Sequence, residues 1–185
     1  MRKLTLLSFL LCYCTLGFAQ YSVSTLAGDT AGYLNGPDSI AQFNSPAAVA
    51  VDTAGNVYVA DSYNNVIRKI SAAGVVTTFA GDTAGYRDGA DTVALFHRPL
   101  GICTDLAGNV YVADTYNNCI RKISTTGTVT TIAGRDSAGY ENGAAGSALF
   151  NLPEGGAVKT AGYIFVTDNG NNVVRQISDS GTVRT

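Results

Sequence analysis

Apolar residues in this chain come in short runs that are separated by turn-forming residues. Four such runs follow one another at PAAVAVD (46–52), NVYVAD (56–61), NVIRKIS (65–71) and VVTTFAG (75–81). β-Branched and aromatic residues dominate the runs, and such residues fit a pleated strand. Gly55 and Gly74 lie between runs, where a tight turn needs a residue that accepts positive φ. The pattern predicts a four-stranded antiparallel meander of consecutive hairpins.

The run NVYVAD is apolar on both faces of the strand that it predicts. Val57 and Val59 point to one face, and Tyr58 and Ala60 point to the other. A sheet with one solvated face would instead alternate apolar and polar residues. Each sheet is therefore predicted to lie between two neighbouring sheets.

The pattern that predicts this meander occurs three times along the chain. TLAGDTAGY begins at Thr25, TFAGDTAGY at Thr78 and TIAGRDSAGY at Thr131, so the period is about 53 residues. The segments GNVYVADSYNNVIRKIS (55–71) and GNVYVADTYNNCIRKIS (108–124) are nearly identical, and GYIFVTDNGNNVVRQIS (162–178) is a looser copy. Four-stranded sheets packed around an axis make a β-propeller. A stacked β-solenoid is the structural alternative, although its coils are usually shorter.

The repeat resembles the NHL repeat, the blade unit of NHL-type β-propellers. Pro99 to Ile102 with Asp105, Gly108 to Asp114, and Asn117 to Ile123 match the pattern P-x-G-I/V-x-x-D-x-x-G-N-V-Y-V-A-D-x-x-N-N-x-I-R-K-I. The other units depart from it at Ala48, Lys159, Gly170 and Gln176. The resemblance implies a fold and a superfamily, and it implies no single activity.

We therefore expect an all-β protein, a β-propeller of four-stranded antiparallel blades that fills residues 20–185. Three blades are predicted at about 46–81, 99–134 and 153–185, and residues 21–28 resemble one extra N-terminal strand. Propellers close with four to eight blades. The chain is thus expected to be an open fragment of a larger, about six-bladed ring. The missing blades would come from a longer chain or, alternatively, from a second copy of this chain.

Residues 1–19 have the organisation of a cleaved signal peptide. Arg2 and Lys3 precede an apolar stretch from Leu4 to Leu16, and the small residues Gly17 and Ala19 suit signal peptidase. Removing the two basic residues changes the net charge from −2 to −4. Such a balance offers no electrostatic attraction for nucleic acid. We expect a secreted, periplasmic or cell-surface protein that binds no nucleic acid and does not insert in a membrane after cleavage.

Acidic and basic residues recur at fixed places in the three units. An aspartate ends each second run and an arginine lies in each third run, where neighbouring strands bring them close. Because catalysis usually needs one asymmetric site, residues repeated in every blade are interpreted as scaffold. These scaffold residues are Asp61, Asp114, Asp168, Arg68, Arg121 and Arg175. The paired asparagines at 64–65, 117–118 and 171–172 are interpreted as turn formers.

Metal chemistry has little support in the sequence. A catalytic zinc, as in the related amidating lyases, needs three protein ligands, commonly histidines, and the chain has one histidine, His97. A lactonase-type propeller would place acids at the mouth of its central channel, where Glu154 is a lone candidate for calcium. No cofactor is expected, and a calcium-dependent lactonase or a lyase with ligands beyond Thr185 is the alternative function.

The thiols of Cys103 and Cys119 are predicted to be unpaired. They fall on the first and third strands of one blade, about 9–10 Å apart, beyond the reach of a disulfide. Because they replace Ala50 and Val66, buried inert thiols are expected.

Function is expected in the loops. Long loops between blades and the short turns DSYNN, DTYNN and DNGNN meet at one end of the predicted sheets. Tyr33, Tyr86 and Tyr140 recur and are expected to anchor these loops. The candidate ligand-binding residues are Tyr63, Arg87, His97, Arg98, Tyr116, Glu141 and Glu154. We therefore predict a scaffold that binds a protein or a carbohydrate, and not an enzyme.

Overall fold

The computed structural model describes residues 22–159 and 162–185. The predicted signal peptide, residues 1–19, lies outside the described residues. Within them the chain forms three antiparallel sheets in sequence order, which confirms the predicted all-β class. Across the same two ranges, no helix has the length and apolar character that a membrane span requires.

Each sheet contains four strands of three to seven residues and one strand of two residues. The first sheet has β1 (Gly36–Pro37), β2 (Pro46–Val51), β3 (Val57–Asp61), β4 (Val66–Ile70) and β5 (Val75–Gly81). The second has β6 (Gly89–Ala90), β7 (Gly101–Thr104), β8 (Val110–Asp114), β9 (Cys119–Ile123) and β10 (Thr128–Gly134). The third has β11 (Gly143–Ala144), β12 (Pro153–Val158), β13 (Ile164–Asp168), β14 (Val173–Ile177) and β15 (Thr182–Arg184). Short 3-10 turns lie at Ser62–Asn64, Asp91–Val93, Thr115–Asn117 and Asn169–Asn171.

The sheets have five strands where the sequence predicted four. The order in the first sheet is β1-β5-β4-β3-β2, so β2 to β5 form the predicted meander and β1 is added at the outer edge. Strand β1 belongs to the loop before the blade, and Gly36 pairs with Val76. The added strand gives hydrogen-bond partners to the outer edge, which would otherwise expose unpaired backbone groups. The sequence pattern did not predict this strand, because two residues are too few to show alternation of apolar and polar positions.

The extra N-terminal strand predicted at 21–28 is not present over the described residues 22–28. No residue of this segment joins a sheet, and the amide of Gly28 donates to the carbonyl of Asp38 instead. Val23 and Leu26 are exposed. A strand needs a neighbouring strand for its backbone groups, and none lies beside this segment in the described part of the chain.

The core lies in the two seams between the three sheets, which we call blades. Tyr58, Ala60 and Ile67 of the first blade pack against Ile102 and Val112 of the second. The second blade repeats this contact toward the third, with Ile120 and Ala133 packed near Ile164 and Val166. Both faces of the second blade are therefore buried, as the doubly apolar run predicted.

On the outward faces of the first and third blades, no other described blade covers the apolar positions that are buried in the second blade. Val49 is 64% exposed, whereas Ile102 at the same position of the second blade is 7% exposed. Val174 is 58% exposed, whereas the equivalent Ile120 is 2% exposed. Within the described residues, these two exposed faces therefore carry the same kind of apolar side chain that is buried in the seams.

Each turn between the second and third long strands ends in a left-handed asparagine. Asn65, Asn118 and Asn172 have φ of 58°, 51° and 57°. Asparagine tolerates this conformation better than other residues with a Cβ atom. The amide oxygen also crosses the seam, since Oδ1 of Asn118 accepts from the amide of Leu152 at 3.0 Å. The second asparagine of each pair therefore shapes its turn, and Asn65 and Asn118 also tie two blades together.

Replacing Asn118 by alanine is expected to lower the free energy of unfolding by about 1–2 kcal/mol more than replacing it by glycine, because only alanine is strained at positive φ. Both changes remove the side-chain oxygen, so their difference isolates the backbone conformation. Urea denaturation of the two variants measures it. Equal stability of the two variants would show that the left-handed turn imposes no strain.

Candidate functional site

Two kinds of loop meet at one end of the three blades, which we call the loop face. It comprises the turns 62–65, 115–118 and 169–172 and the inter-blade loops 29–45, 82–98 and 135–152. In each unit a backbone bond joins turn to loop; in the second, the amide of Tyr116 donates to the carbonyl of His97. The loop face thus has a regular backbone, on which the side chains differ from unit to unit.

A buried ion pair supports the loop face in every blade. Nη1 of Arg68, Arg121 and Arg175 lies 2.9, 2.7 and 2.9 Å from Oδ2 of Asp61, Asp114 and Asp168, and all six side chains are fully buried. The other carboxylate oxygen accepts from the loop, for example from the amide of His97 to Asp114 at 2.8 Å. The aspartate therefore connects strand, turn and loop.

The arginine of each pair holds the inter-blade loop from within. In the second blade, Arg121 donates to the carbonyl oxygens of Leu95 at 3.0 Å and of Arg87 at 2.7 Å, and to Oδ1 of Asp88 at 2.8 Å. Its guanidinium lies between the rings of Tyr86 and Phe96, 5.5 and 5.0 Å from their centroids. Tyr33 and Tyr140 cover Arg68 and Arg175 in the same way. The recurrent tyrosines thus cover the buried arginines.

The charges of the second blade's pair depend on one another. Burial raises the pKa of Asp114 to about 6, although hydrogen bonds from His97 and Asn117 and the charge of Arg121 oppose this rise. Burial alone would lower the pKa of Arg121, but the charge of Asp114, its hydrogen bond and the other nearby acidic groups together raise it. At neutral pH both groups are charged, and each neutralises the other inside the blade.

Arg98 occupies the seam between the first two blades at the loop face. Its Cζ lies 4.5 Å from the ring centroid of Tyr63 and 5.2 Å from that of Tyr116. The His97 ring lies 5.3 Å from the Tyr116 ring. The backbone of Arg98 is left-handed, with φ of 47°, and its amide donates to Oδ1 of Asn65 at 2.9 Å. Four of the predicted ligand-binding residues are therefore neighbours.

Glu154 lies apart from this cluster, on β12, the innermost strand of the third blade. It lines a cleft of about 500 Å³ together with Ala47, Leu100 and Gly155, so all three blades contribute to the cleft. Its Oε1 accepts from Nδ2 of Asn169 at 2.7 Å. Among the residues that the structure describes, no three histidine, cysteine or acidic side chains are grouped to hold a metal ion.

Arg87 and Glu141 lie on the outer side of the loop face, beside the two-residue edge strands. Arg87 uses Nε to donate to the carbonyl of Val93 within its own loop. The carbonyl of Glu141 accepts from the buried Arg175 at 2.7 Å. The structure therefore divides the predicted residues into a seam cluster, a glutamate at the axis and two outer residues.

Sequence reasoning missed three residues that position this site. Asn65 holds the backbone of Arg98, Asn169 holds Glu154, and the buried Thr115 donates to the carbonyl of Pro153 at 2.7 Å across the second seam. The repeated asparagine pair is a signal for Asn65, whereas Thr115 and Asn169 lie at the variable first position of their turns, where the sequence carries no signal.

The two cysteines of the described chain are free thiols, as predicted. Cys119 is buried and Cys103 is half-buried. Burial raises the pKa of Cys103 to about 11, and it raises the pKa of Cys119 as well. A raised pKa keeps a thiol protonated and unreactive. Neither thiol has the character of a nucleophile.

The opposite end of the blades carries a second repeated contact, between a tyrosine and an aspartate. The hydroxyl groups of Tyr58 and Tyr111 donate to Oδ2 of Asp52 and Asp105, both at 3.1 Å. Burial and the neighbouring carboxylate raise the pKa of each tyrosine to about 12. Desolvation alone would raise the pKa of Asp52, but hydrogen bonds, mainly from Asn56 and Tyr58, lower it below its usual value.

These tyrosines predict a loss of stability at alkaline pH. An unfolded tyrosine releases its proton near pH 10, whereas folded Tyr58 and Tyr111 keep theirs to about 12. The unfolded state therefore binds fewer protons between these values, so the free energy of unfolding should fall as pH rises through this window. Denaturation from pH 9 upward should show this decrease, and Tyr111→Phe should weaken it. Phenylalanine already stands at the equivalent position, Phe165. An unchanged pH profile in that variant would contradict the assignment.

Comparisons with known proteins agree with this architecture. The NHL repeat family matches residues 43–70 and 96–123. The chain is 32% identical over 131 residues to the Arabidopsis thaliana protein SUPPRESSOR OF QUENCHING 1, chloroplastic, covering 65% of this chain and 12% of the relative. It is 36% identical over 93 residues to Gallus gallus NHL repeat-containing protein 2, covering 48% and 12%. The sheets are propeller blades of the NHL type, and the chain is an NHL-repeat protein.

Solved structures show the same fold. A structural genomics protein from Bacteroides thetaiotaomicron aligns with a TM-score of 0.62 at 29% identity, over 66% of this chain and 32% of that one. An auxiliary nutrient binding protein from the same organism aligns with a TM-score of 0.62 at 24% identity, over 69% and 36%. The chain spans about an eighth of its curated relatives and about a third of these structures.

Proposed function

We propose that this chain is the propeller part of an exported binding protein that recognises its ligand with the loop face. The observation that carries the proposal is that repeated residues are buried and support the loops, whereas variable residues lie on the exposed surface. The repeated aspartates and arginines are fully buried and hold the loops. Above them, Tyr63 and Tyr116 are 54% and 43% exposed. A rigid scaffold that presents exposed aromatic and polar side chains on loops is suited to recognition.

The position of the variable residues supports binding at the seam between the first two blades. Tyr63, His97, Arg98 and Tyr116 come from one loop and two turns, and the scaffold bonds bring them together. Their side chains change at the next seam, where Leu152 replaces Arg98 and Gly170 replaces Tyr116. Residues that vary on a constant frame are suited to specificity, whereas residues that build the frame recur.

Binding of the fluorescently labelled full chain to arrays of defined glycans and synthetic peptides tests the proposal. We expect retention on at least one class of probe, and loss of that retention in the double variant Tyr63→Ala, Tyr116→Ala. Leu106→Ala is the control, because Leu106 is 73% exposed in a turn at the opposite end. Equal retention of the loop-face variant and the wild type would refute the proposal, as would no retention on any probe.

A further inference from the structure

The seam cluster holds a positive charge that no carboxylate of the described chain neutralises. Arg68, Arg121 and Arg175 each contact a buried aspartate. Arg98, in contrast, has no described carboxylate within ion-pair distance, and the one described partner of its guanidinium is the Tyr116 hydroxyl at 3.5 Å. Most of the guanidinium donors are thus available to a ligand.

The guanidinium is also held in place before any ligand arrives. Tyr63 and Tyr116 lie on either side at 4.5 and 5.2 Å, a distance at which the ring faces attract a cation. The amide of Arg98 is fixed by Asn65 at 2.9 Å. Ordering the long side chain in the free protein reduces the conformational entropy that binding would otherwise cost. Such ordering favours recognition by the guanidinium over a purely structural role.

The chemistry of this arrangement favours a single carboxylate. A guanidinium offers parallel donors that match the two oxygens of a carboxylate. Phosphate groups are commonly bound by clusters of arginines, and Arg98 is one arginine in a chain of net charge −2. Nucleic acid takes its affinity from many lysine and arginine contacts with phosphates, and a single arginine does not supply them.

The neighbouring aromatic rings indicate what carries the carboxylate. Tyr63 and Tyr116 leave 54% and 43% of their surfaces exposed around the guanidinium. Flat aromatic faces with hydroxyl groups beside them suit a pyranose ring, which has an apolar C–H face and hydroxyl groups around its rim. Extended peptides are bound mainly by sheet edges or hydrophobic grooves, and the cluster consists of turn and loop residues instead.

We propose that Arg98, between Tyr63 and Tyr116, binds the carboxylate of an acidic sugar in a polyuronate-type glycan. The inference rests on the proposed function, because it assigns a ligand class to the same loop face. His97 lies beside Tyr116 and borders the same position. At the equivalent positions Ser45 and Leu152 carry no charge, so the first seam differs from the second in this respect.

The test measures binding of the full chain to polygalacturonate, alginate and hyaluronan by isothermal titration calorimetry. Methyl-esterified polygalacturonate is the matched neutral ligand. Arg98→Met keeps the apolar stem and removes the donors, and Arg98→Lys keeps the charge without the planar fork. Arg184→Met, on the outer strand of the third blade, is the matched control. Thermal melting of each variant separates a loss of binding from a loss of folding.

We expect at least one acidic glycan to bind, and methyl esterification or Arg98→Met to weaken binding at least about tenfold, as expected for a charge-assisted hydrogen bond. Arg98→Lys should retain part of the affinity, and Arg184→Met should retain all of it, with unchanged melting temperatures. Equal binding of the ester and the acid, or of Arg98→Met and the wild type, would overturn the inference. It would also be overturned if only acidic peptides bound, or if no uronate bound while other probes of the arrays did. The last two results leave the proposed loop-face function intact, so the two failures are distinguishable.

Discussion

The variant Asp114→Ala is expected to lose about 3–5 kcal/mol of unfolding free energy, which is the usual cost of leaving one partner of a buried ion pair alone. The carboxylate and the guanidinium are both fully buried, 2.7 Å apart. Removing Asp114 leaves the charge of Arg121 without its buried partner, and it also removes the acceptor of the His97 amide. The turn and the inter-blade loop would lose their shared anchor.

Urea denaturation of Asp114→Ala and of Asp88→Asn tests this expectation. Asp88 contacts the same arginine at 2.8 Å, but its side chain is 49% exposed. Solvent screens the half-exposed carboxylate, and Asn35 and Asn142 make the same contact in the other blades. We therefore expect Asp88→Asn to cost about 0–1 kcal/mol, and it is the matched control. If the two variants were equally stable, burial would not be what makes the Asp114 contact strong. We also expect Asp114→Ala to lose ligand binding at the loop face, because the inter-blade loop is no longer anchored.

The variant Gly101→Ala is expected to lower stability by about 2–3 kcal/mol, because inserting a methyl group into a packed interface forces the backbone to shift. A Cβ atom at this position would overlap the carbonyl oxygen of Glu154 and lie 3.0 Å from the Cα of Gly155. Strands β7 and β12 approach each other here, so the clash is with backbone and no flexible side chain can move away. The second seam would open near the axis.

Gly146→Ala is the control for this prediction, since a Cβ atom at Gly146 would meet nothing within 4 Å. We expect it to change the unfolding free energy by less than about 0.5 kcal/mol, as for ordinary surface substitutions. Thermal denaturation of both variants measures the difference. A Gly101→Ala protein as stable as Gly146→Ala would mean that the two innermost strands separate at little cost.

The three units differ at the position of Gly101. Ala48 stands at the position of Gly101 in the first unit. The first strand of the second blade lies against the third blade at this position, as the contact of Gly101 with Glu154 shows. Ala48 packs into the first seam and carries a Cβ atom. The exclusion of a Cβ atom at Gly101 therefore belongs to the close approach of Glu154 in the second seam, and the strand itself does not impose it.

Much of the fold followed from local patterns. Alternating apolar residues and turn glycines predicted β2 to β5 and their equivalents within a few residues of their observed bounds. The doubly apolar run around Tyr58 predicted sheets packed on both faces. The two-residue edge strands were not predicted, because they are loop segments that pair with the outer strand of a blade. Such a pairing leaves no periodic signal in the sequence.

The candidate site was predictable only in part. The recurrence of Asp114 and Arg121 indicated a scaffold, and the structure shows their contact inside the blade. The variable loop residues include Arg98 and His97, which lie in the seam cluster, and Arg87 and Glu141, which lie on the outer side. Loop composition alone does not say how far from the axis a residue lies.

The sequence by itself determined the unit: strand order within a blade, the positions of its turns and the residues that recur to hold it. These depend on backbone preferences and side-chain alternation, which act over a few residues. Only the tertiary structure decided which units meet and what lies in the seams. Tyr63 and Tyr116 belong to different blades, and Arg98 joins them because one blade packs against the next with a fixed register. That register is set by side-chain packing across the seam, so the arginine between two tyrosines becomes visible only when the blades are assembled.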